Sequence, residues 1–308
     1  MSDPDPQAAD AYLSDLQQRI CRALEDEDGS ARFGGEERVG PGRTLSRPQV
    51  LDGGAVIAKA AVNFTHSHGA GLPPAATERR PELTGAPFEA VSLSMIVHPV
   101  NPYVPTVHMN VRTFSARPEG KPVAWWIGGG FDLTPVYGFE EDAIQWHTTA
   151  RDACAPLGPD AYPRFKKACD EYFFLPHRGE ALGVGGIFFD DLCEPGWERC
   201  FAFLRSVGDH FLEAYLPIVR RRRETPYGER ERNFQLLRRG RYAEFNLAID
   251  RGTRYGMQSG RRIEAVLASL PPLAAWRYDW QPEPGSPEAR LTEDFLIPRE
   301  WIAPGDSD

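Results

Sequence analysis

Across 308 residues the chain carries a formal net charge of -9, an acidic balance that argues against a nucleic-acid partner, because phosphate backbones need a basic surface. It has no run of 18 apolar residues, so no membrane span is expected, and the acidic start MSDPDPQAADAYL lacks the apolar core of a signal or transit peptide. Five cysteines without a C-x-x-C pair fit reduced thiols in a cytoplasmic protein better than a disulfide framework.

Glycine and proline are plentiful but dispersed, and no long polar linker divides the chain. The expectation is one domain over residues 1–308, with 1–9 as a disordered tail, burying roughly three quarters of its unfolded surface. Leu13, Leu16, Ile20 and Leu24 recur every three to four residues and predict an amphipathic helix over 10–25. Residues 30–54 read as loop. AVIAKAAVNFTHSHG then reads as a strand reaching His66 and His68, which share a strand face and can bind a metal, although a plain surface pair is the simpler reading. Residues 69–87 read as a Pro/Ala-rich loop.

The stretch from Val91 to Asp132 is the most informative. Successive side chains of a strand point to opposite faces. From Thr106 to Phe114 one face is therefore Val107, Met109, Val111 and Thr113, and the other is Thr106, His108, Asn110 and Arg112. The run before it places Leu93, Met95 and Val97 on one side and Ser94 and His98 on the other. Pro99, Pro102 and Pro105 break the ladder between the two runs. Paired as a hairpin, these strands bring Ser94, His98, His108, Asn110 and Arg112 to one surface, which suits an anion-holding wall as well as a solvent-facing polar surface. KPVAWWIGGG reads as a further buried strand, with Asp132 just beyond. Its glycines are not a phosphate loop, since no G-K-[ST] follows.

Helices are expected over Phe139–Cys154, with His147 at the edge of the apolar stripe, and over 161–175 up to Pro176, followed by His177. GVGGIFFDDL reads as a strand and 196–223 as a long helix, kinked or ended near Pro217. Arg220–Arg223 read as its solvated end, where cations suit the helix dipole. A short helix through ERERNFQLLRRG is expected to stop at Gly240. RYAEFNLAID alternates apolar and polar residues and reads as a strand carrying Tyr242, Glu244, Asn246 and Asp250 on one face, with Arg251 and Gly252 at its turn. A helix over Arg262–Leu270 and a strand WRYDW complete the reading.

In this order, HPVNPYVPTVHMNVR, WWIGGGFDLTP, PYGERERNFQLLRRGRYAEFNLAIDRGT and SLPPLAAWRYDW resemble the oxygen-dependent coproporphyrinogen III oxidases of haem biosynthesis, from about Tyr12 to Ile302. The resemblance implies an α+β fold with a large antiparallel sheet flanked by helices on both faces, and a homodimer joined through about residues 242–277. It implies conversion of two propionates of coproporphyrinogen III to vinyl groups, with dioxygen as oxidant and no organic cofactor. Ser94, Asn110, Val111, Arg112 and the segment Gly260, Arg261, Arg262 match the family's substrate-binding positions, and His108 matches its proton donor. The residue chemistry suits that substrate. Arg112 and Arg251 can clamp carboxylates, and Asp132 and Asp250 can accept pyrrole N–H bonds. The resemblance also implies a possible divalent metal on His98, His108, His147 and His177, although their spacing matches no compact zinc pattern. The chain departs from the family at GPGRTLSR, at Ala58–Ala61 and at Ser259–Arg262. These departures keep two alternatives in view, a metal-dependent hydrolase and a non-catalytic tetrapyrrole-binding protein.

Overall fold

The computed structural model describes residues 3–40, 44–72, 80–258 and 262–303. Helix α1 (Pro6–Asp28) begins inside the expected tail. Asp5 caps it by accepting from the N–H groups of Gln7 and Ala8, and Gly29, in the left-handed region at φ 73°, stops it. Its stripe of Leu13, Leu16, Ile20 and Leu24 is fully buried.

A seven-stranded antiparallel sheet follows. Its order is β1 (Arg38–Val39), β2 (Leu45–Asp52), β3 (Ile57–Gly69), β4 (Phe88–Pro99), β5 (Thr106–Ala116) and β6 (Ala124–Thr134), then the later strand β9 (Gly185–Leu192). From β2 to β6 each strand pairs with its predecessor. Between β6 and β9 lie α2 (Glu140–Ala153), α3 (Ala161–Tyr172) and a small ribbon of β7 (Phe174–Leu175) with β8 (Glu180–Ala181). The stretch 30–54, expected as loop, thus supplies two strands. Pro48 is tolerated in β2 because β1 pairs only with Leu45 and Ser46, leaving the rest of β2 almost an edge.

The two-residue period sorts the sheet. Leu93, Met95, Val107, Met109, Phe131 and Leu133 face one way, into the larger core beneath α1, α2 and the long helix α4 (Trp197–Arg222). The opposite face carries the polar set and a smaller core containing Cys169, Phe173, Tyr242 and Phe245. α3 lies against β9, giving Phe165 to the larger core and Cys169 to the smaller. Helices therefore flank both faces.

Several expectations need correction. The Arg220–Arg223 run does end α4 and Arg220 keeps 59% of its side chain exposed, but the run is also paired. Arg220 and Arg223 each reach Glu27 at 2.8 Å, and Arg221 and Arg222 both hold Asp142. Glu27 and Asp142 have almost no exposed side chain, so the run pins α4 to the end of α1 and the start of α2. Gly240 lies within α5 (Glu229–Glu244) rather than at its end. A Cβ there would sit 2.6 Å from the Ala275 carbonyl oxygen and against Trp276, so glycine admits the chain that crosses the helix. RYAEFNLAID is not a strand. It completes α5, passes through a π-helical turn (Phe245–Ile249) and ends at Asp250, after which α6 (Arg251–Gln258) starts. Residues 262–270 form only α7 (Ile263–Val266) and a 3-10 turn, and WRYDW is irregular. Among the described residues no helix is long and apolar enough to cross a membrane.

Candidate active site

The hairpin register places Ser94 opposite Asn110, Ser92 opposite Arg112 and Ile96 opposite His108. Residues directly opposite in an antiparallel pair share a face, so the expected wall of Ser94, His98, His108, Asn110 and Arg112 is formed. β6 extends it, with Gly128, Gly130 and Asp132 opposite Arg112, Asn110 and His108. A Cβ on Gly128 would meet the Arg112 guanidinium at 2.6 Å, so the glycine lets that side chain lie flat across the strand. On β3, Asn63 stands opposite Ser94 and donates to the Ala265 carbonyl, while its buried Oδ1 has no partner among the described residues. Val111 turns the other way and is fully buried in the larger core, so its side chain does not join the wall.

His108 and Asp132 form a pair, Nδ1–H donating to Oδ1 at 2.9 Å. The Asp132 side chain is 3% exposed and that of His108 26%. Burial opposes a charged ring, but the hydrogen bond and charge of Asp132, with Asp250 behind, outweigh it and hold the His108 imidazole above its ordinary value.

Two guanidinium groups converge on Asp190 of β9. Arg112 reaches Oδ1 at 2.5 Å and Arg251 reaches Oδ2 at 3.1 Å. Burial alone would raise the Asp190 carboxyl, but the two arginines hold it below the usual range. Arg112 also donates to Asn110 Oδ1 at 2.9 Å. Both arginine side chains keep about a third or more of their surface open, 33% and 45%.

Asp250 is placed by the π-helical turn, whose wide ring is closed by the Asp250 N–H bonding to the Phe245 carbonyl at 2.8 Å. Such turns cluster at functional sites because they displace the residues that follow. Its Oδ1 accepts from the Tyr172 hydroxyl at 2.7 Å, and its Oδ2 accepts from the Thr253 N–H at 2.6 Å, so it also caps α6. Tyr172 stacks on Phe188 of β9 at 4.3 Å and lies under Arg251. Asn246, inside the turn, accepts from Thr253 and Ser269.

Sequence reasoning missed Asp190 and Tyr172. Asp190 belongs to this face only because β9 pairs with β6, a long-range fact that no local spacing carries. Of the remaining expected residues, Arg262 precedes α7 as its N-cap residue and pairs with Glu264 at 3.3 Å. Gly260 and Arg261 lie outside the described residues.

The four histidines expected as metal ligands are not gathered by this chain. His98 is fully buried on the wall and bonds the Ser269 carbonyl. His147 is buried under the opposite face, with its two ring nitrogens on the Tyr162 hydroxyl and the Val184 carbonyl. His177 pairs with Glu244 at 2.9 Å. No three of the four bring ligand atoms within 4.8 Å of one another, so within this chain the residues do not fit one shared ion. The open depression between α1 and α4, lined by Tyr12, Arg19, Arg205 and Asp209, lies on the other side of the sheet and holds none of the wall residues.

One sheet face therefore combines a carboxylate-paired histidine, two convergent arginines, a fixed aspartate and an unpartnered amide oxygen, all suited to a substrate bearing several carboxylates and N–H donors. A family model described as Coproporphyrinogen III oxidase matches residues 8–301, and the chain belongs to that family.

Proposed function

We propose that this wall performs an oxygen-dependent oxidative decarboxylation of coproporphyrinogen III. Members of the family convert propionates of this substrate to vinyl groups in haem biosynthesis. For each propionate, the CH2–CH2–COO⁻ group loses carbon dioxide and a hydride equivalent to become CH=CH2. Dioxygen takes the two electrons and, with two protons, leaves as hydrogen peroxide. The electron-rich reduced tetrapyrrole can pass electrons to dioxygen directly, so the protein's share is orientation and charge placement. The sequence supplies no flavin or nicotinamide motif and no run of cysteines spaced for an iron–sulfur cluster, which is why dioxygen is the acceptor proposed.

The observation that carries this reading is the convergence of Arg112 and Arg251 on one carboxylate, that of Asp190. Two guanidinium groups spaced to grip one carboxylate can exchange it for a substrate propionate. Asp250 accepts pyrrole N–H bonds, and Asp132 keeps His108 charged enough to donate a proton. The apolar side chains left open near the π-helical turn (Leu247, Met257, Ile263, Leu273 and Trp276) favour a second copy packing there, as in the expected homodimer. Parallel assays on reduced coproporphyrinogen in air, without oxygen and after exhaustive chelation test the proposal. Turnover should stop without oxygen and survive chelation. Turnover without oxygen would refute the oxidase chemistry, and loss on chelation restored by one particular divalent ion would refute the metal-free reading.

A further inference from the structure

We propose that His66, His68 and Glu89 bind one divalent transition-metal ion of the zinc class, at a site separate from the catalytic wall. His66 and His68 are two apart on β3 and so share a face, and the β3–β4 register sets Glu89 directly opposite His68. Their rings lie 4.3 Å apart, tilted by 33°. Among the described residues this is the one group of three histidine, cysteine or carboxylate side chains whose ligand atoms all lie within 4.8 Å of one another.

The donor set matches the ion. Two imidazole nitrogens and one carboxylate oxygen give three protein ligands and leave a fourth position for water, as borderline ions such as zinc accept. The His68 Nδ1 to Glu89 Oε1 gap is 3.9 Å, too long for a hydrogen bond. An ion about 2.0–2.2 Å from each ligand spans it with little movement.

His66 is already oriented. Its Nδ1 faces the Asp10 carboxylate of α1 at 2.8 Å, and its Nε2 points at Glu89 at 2.8 Å. A carboxylate behind a ligating imidazole fixes the ring and raises its basicity. Graded exposure, from 16% for His66 to 43% for His68, gives a supported inner ligand and an open side for entry. Phe64 and Val91, neighbours on this strand face, belong to the larger core, whereas the catalytic wall occupies the other face. An ion here ties the start of α1 to the sheet without touching the chemistry.

Equilibrium dialysis of the full chain against Zn2+ tests this, with Co2+ as a spectroscopic stand-in and thermal melts alongside. The expected result is one ion per chain, a zinc-dependent rise in melting temperature, and tetrahedral Co2+ bands. His68→Ala and Glu89→Gln, checked for folding by circular dichroism, should abolish all three. Asp10→Asn should weaken binding by about 10–100-fold, and Mg2+ and Ca2+, which prefer all-oxygen sites, should not compete. Absence of stoichiometric binding, or binding that persists unchanged in folded His68→Ala and Glu89→Gln proteins, overturns the proposal in favour of His66 simply bridging two carboxylates.

Discussion

Replacing Asp250 separates its structural duty from its chemical one. In the folded protein its two oxygens accept from the Tyr172 hydroxyl and the Thr253 N–H. Asp250→Ala removes the cap of α6, a loss of about 0.5–2 kcal/mol, and deprives Tyr172 of its acceptor. Because the residue is only half-buried, the summed cost should stay near about 1–3 kcal/mol, and the protein should fold with a melting point a few degrees lower. Asparagine caps helices about as well as aspartate, so Asp250→Asn should recover most of that stability. Neither variant can offer a charged acceptor to two pyrrole N–H groups, whose bonds are together about 3–6 kcal/mol. At a factor of ten for each about 1.4 kcal/mol, kcat/KM should fall by about a hundredfold to ten-thousandfold in both. Thermal melts and aerobic turnover of reduced coproporphyrinogen, followed by pigment analysis, measure the two quantities separately. An Asn variant with native stability and near-native kcat/KM would refute the role given to Asp250.

Arg112→Lys keeps the charge but loses the planar fork that reaches Asn110 and Asp190 together; KM should rise by about tenfold, roughly one lost charge-assisted bond, with part of kcat retained, and unchanged kinetics would contradict a carboxylate clamp. Burial pushes the imidazoles of His98 and His147 down to about 3 and about 4. Below about pH 6.5 the unfolded chain therefore takes up protons that the folded chain refuses, and stability should fall as the pH drops from there toward 5. His108, raised instead, has its favourable contribution fully present below about 6.5 and loses it as pH rises, so it does not mask the fall. A urea midpoint that stays flat across that window would count against the buried neutral rings. Light scattering should give about twice the chain mass, and a stable, active monomer would remove the apolar surface around Leu273 and Trp276 as a subunit contact.

The hairpin wall was legible because a strand's period of two is local, and because Pro99, Pro102 and Pro105 marked where the ladder breaks. RYAEFNLAID was misread because it satisfies two periods at once. Its alternation mimics a strand, yet Tyr242, Phe245 and Asn246, all buried, are also spaced as one helical face, and Ala243, Glu244, Leu247 and Ala248 favour helix. Gly240 carried an ambiguity of another kind, since a glycine that ends a helix and one that admits a crossing chain read alike in sequence. The arginine run is a helix tip as read, but its pairing was not legible because its partners, Asp142 and Glu27, lie some eighty and nearly two hundred residues away along the chain. Asp190 and Tyr172 reach the site only through tertiary pairing, which no window of residues contains.

The π-helical turn makes the site depend on counting. Deleting any one residue between Phe245 and Ile249 would let the segment relax into an ordinary α-helix. Everything beyond would then swing by about 100° and shift by about 1.5 Å along the axis. Asp250 would leave Tyr172 and Arg251 would leave Asp190, while the Asp250–Thr253 cap travels with α6, although no functional side chain had been altered. Such a shortened chain should keep its larger core, to which none of Phe245–Ile249 belongs, and lose the alignment of its chemistry. If the proposed site is the active one, length in this segment should matter to activity as much as residue identity, and a scan of single-residue deletions should find there a sharply bounded intolerance that substitution scans miss.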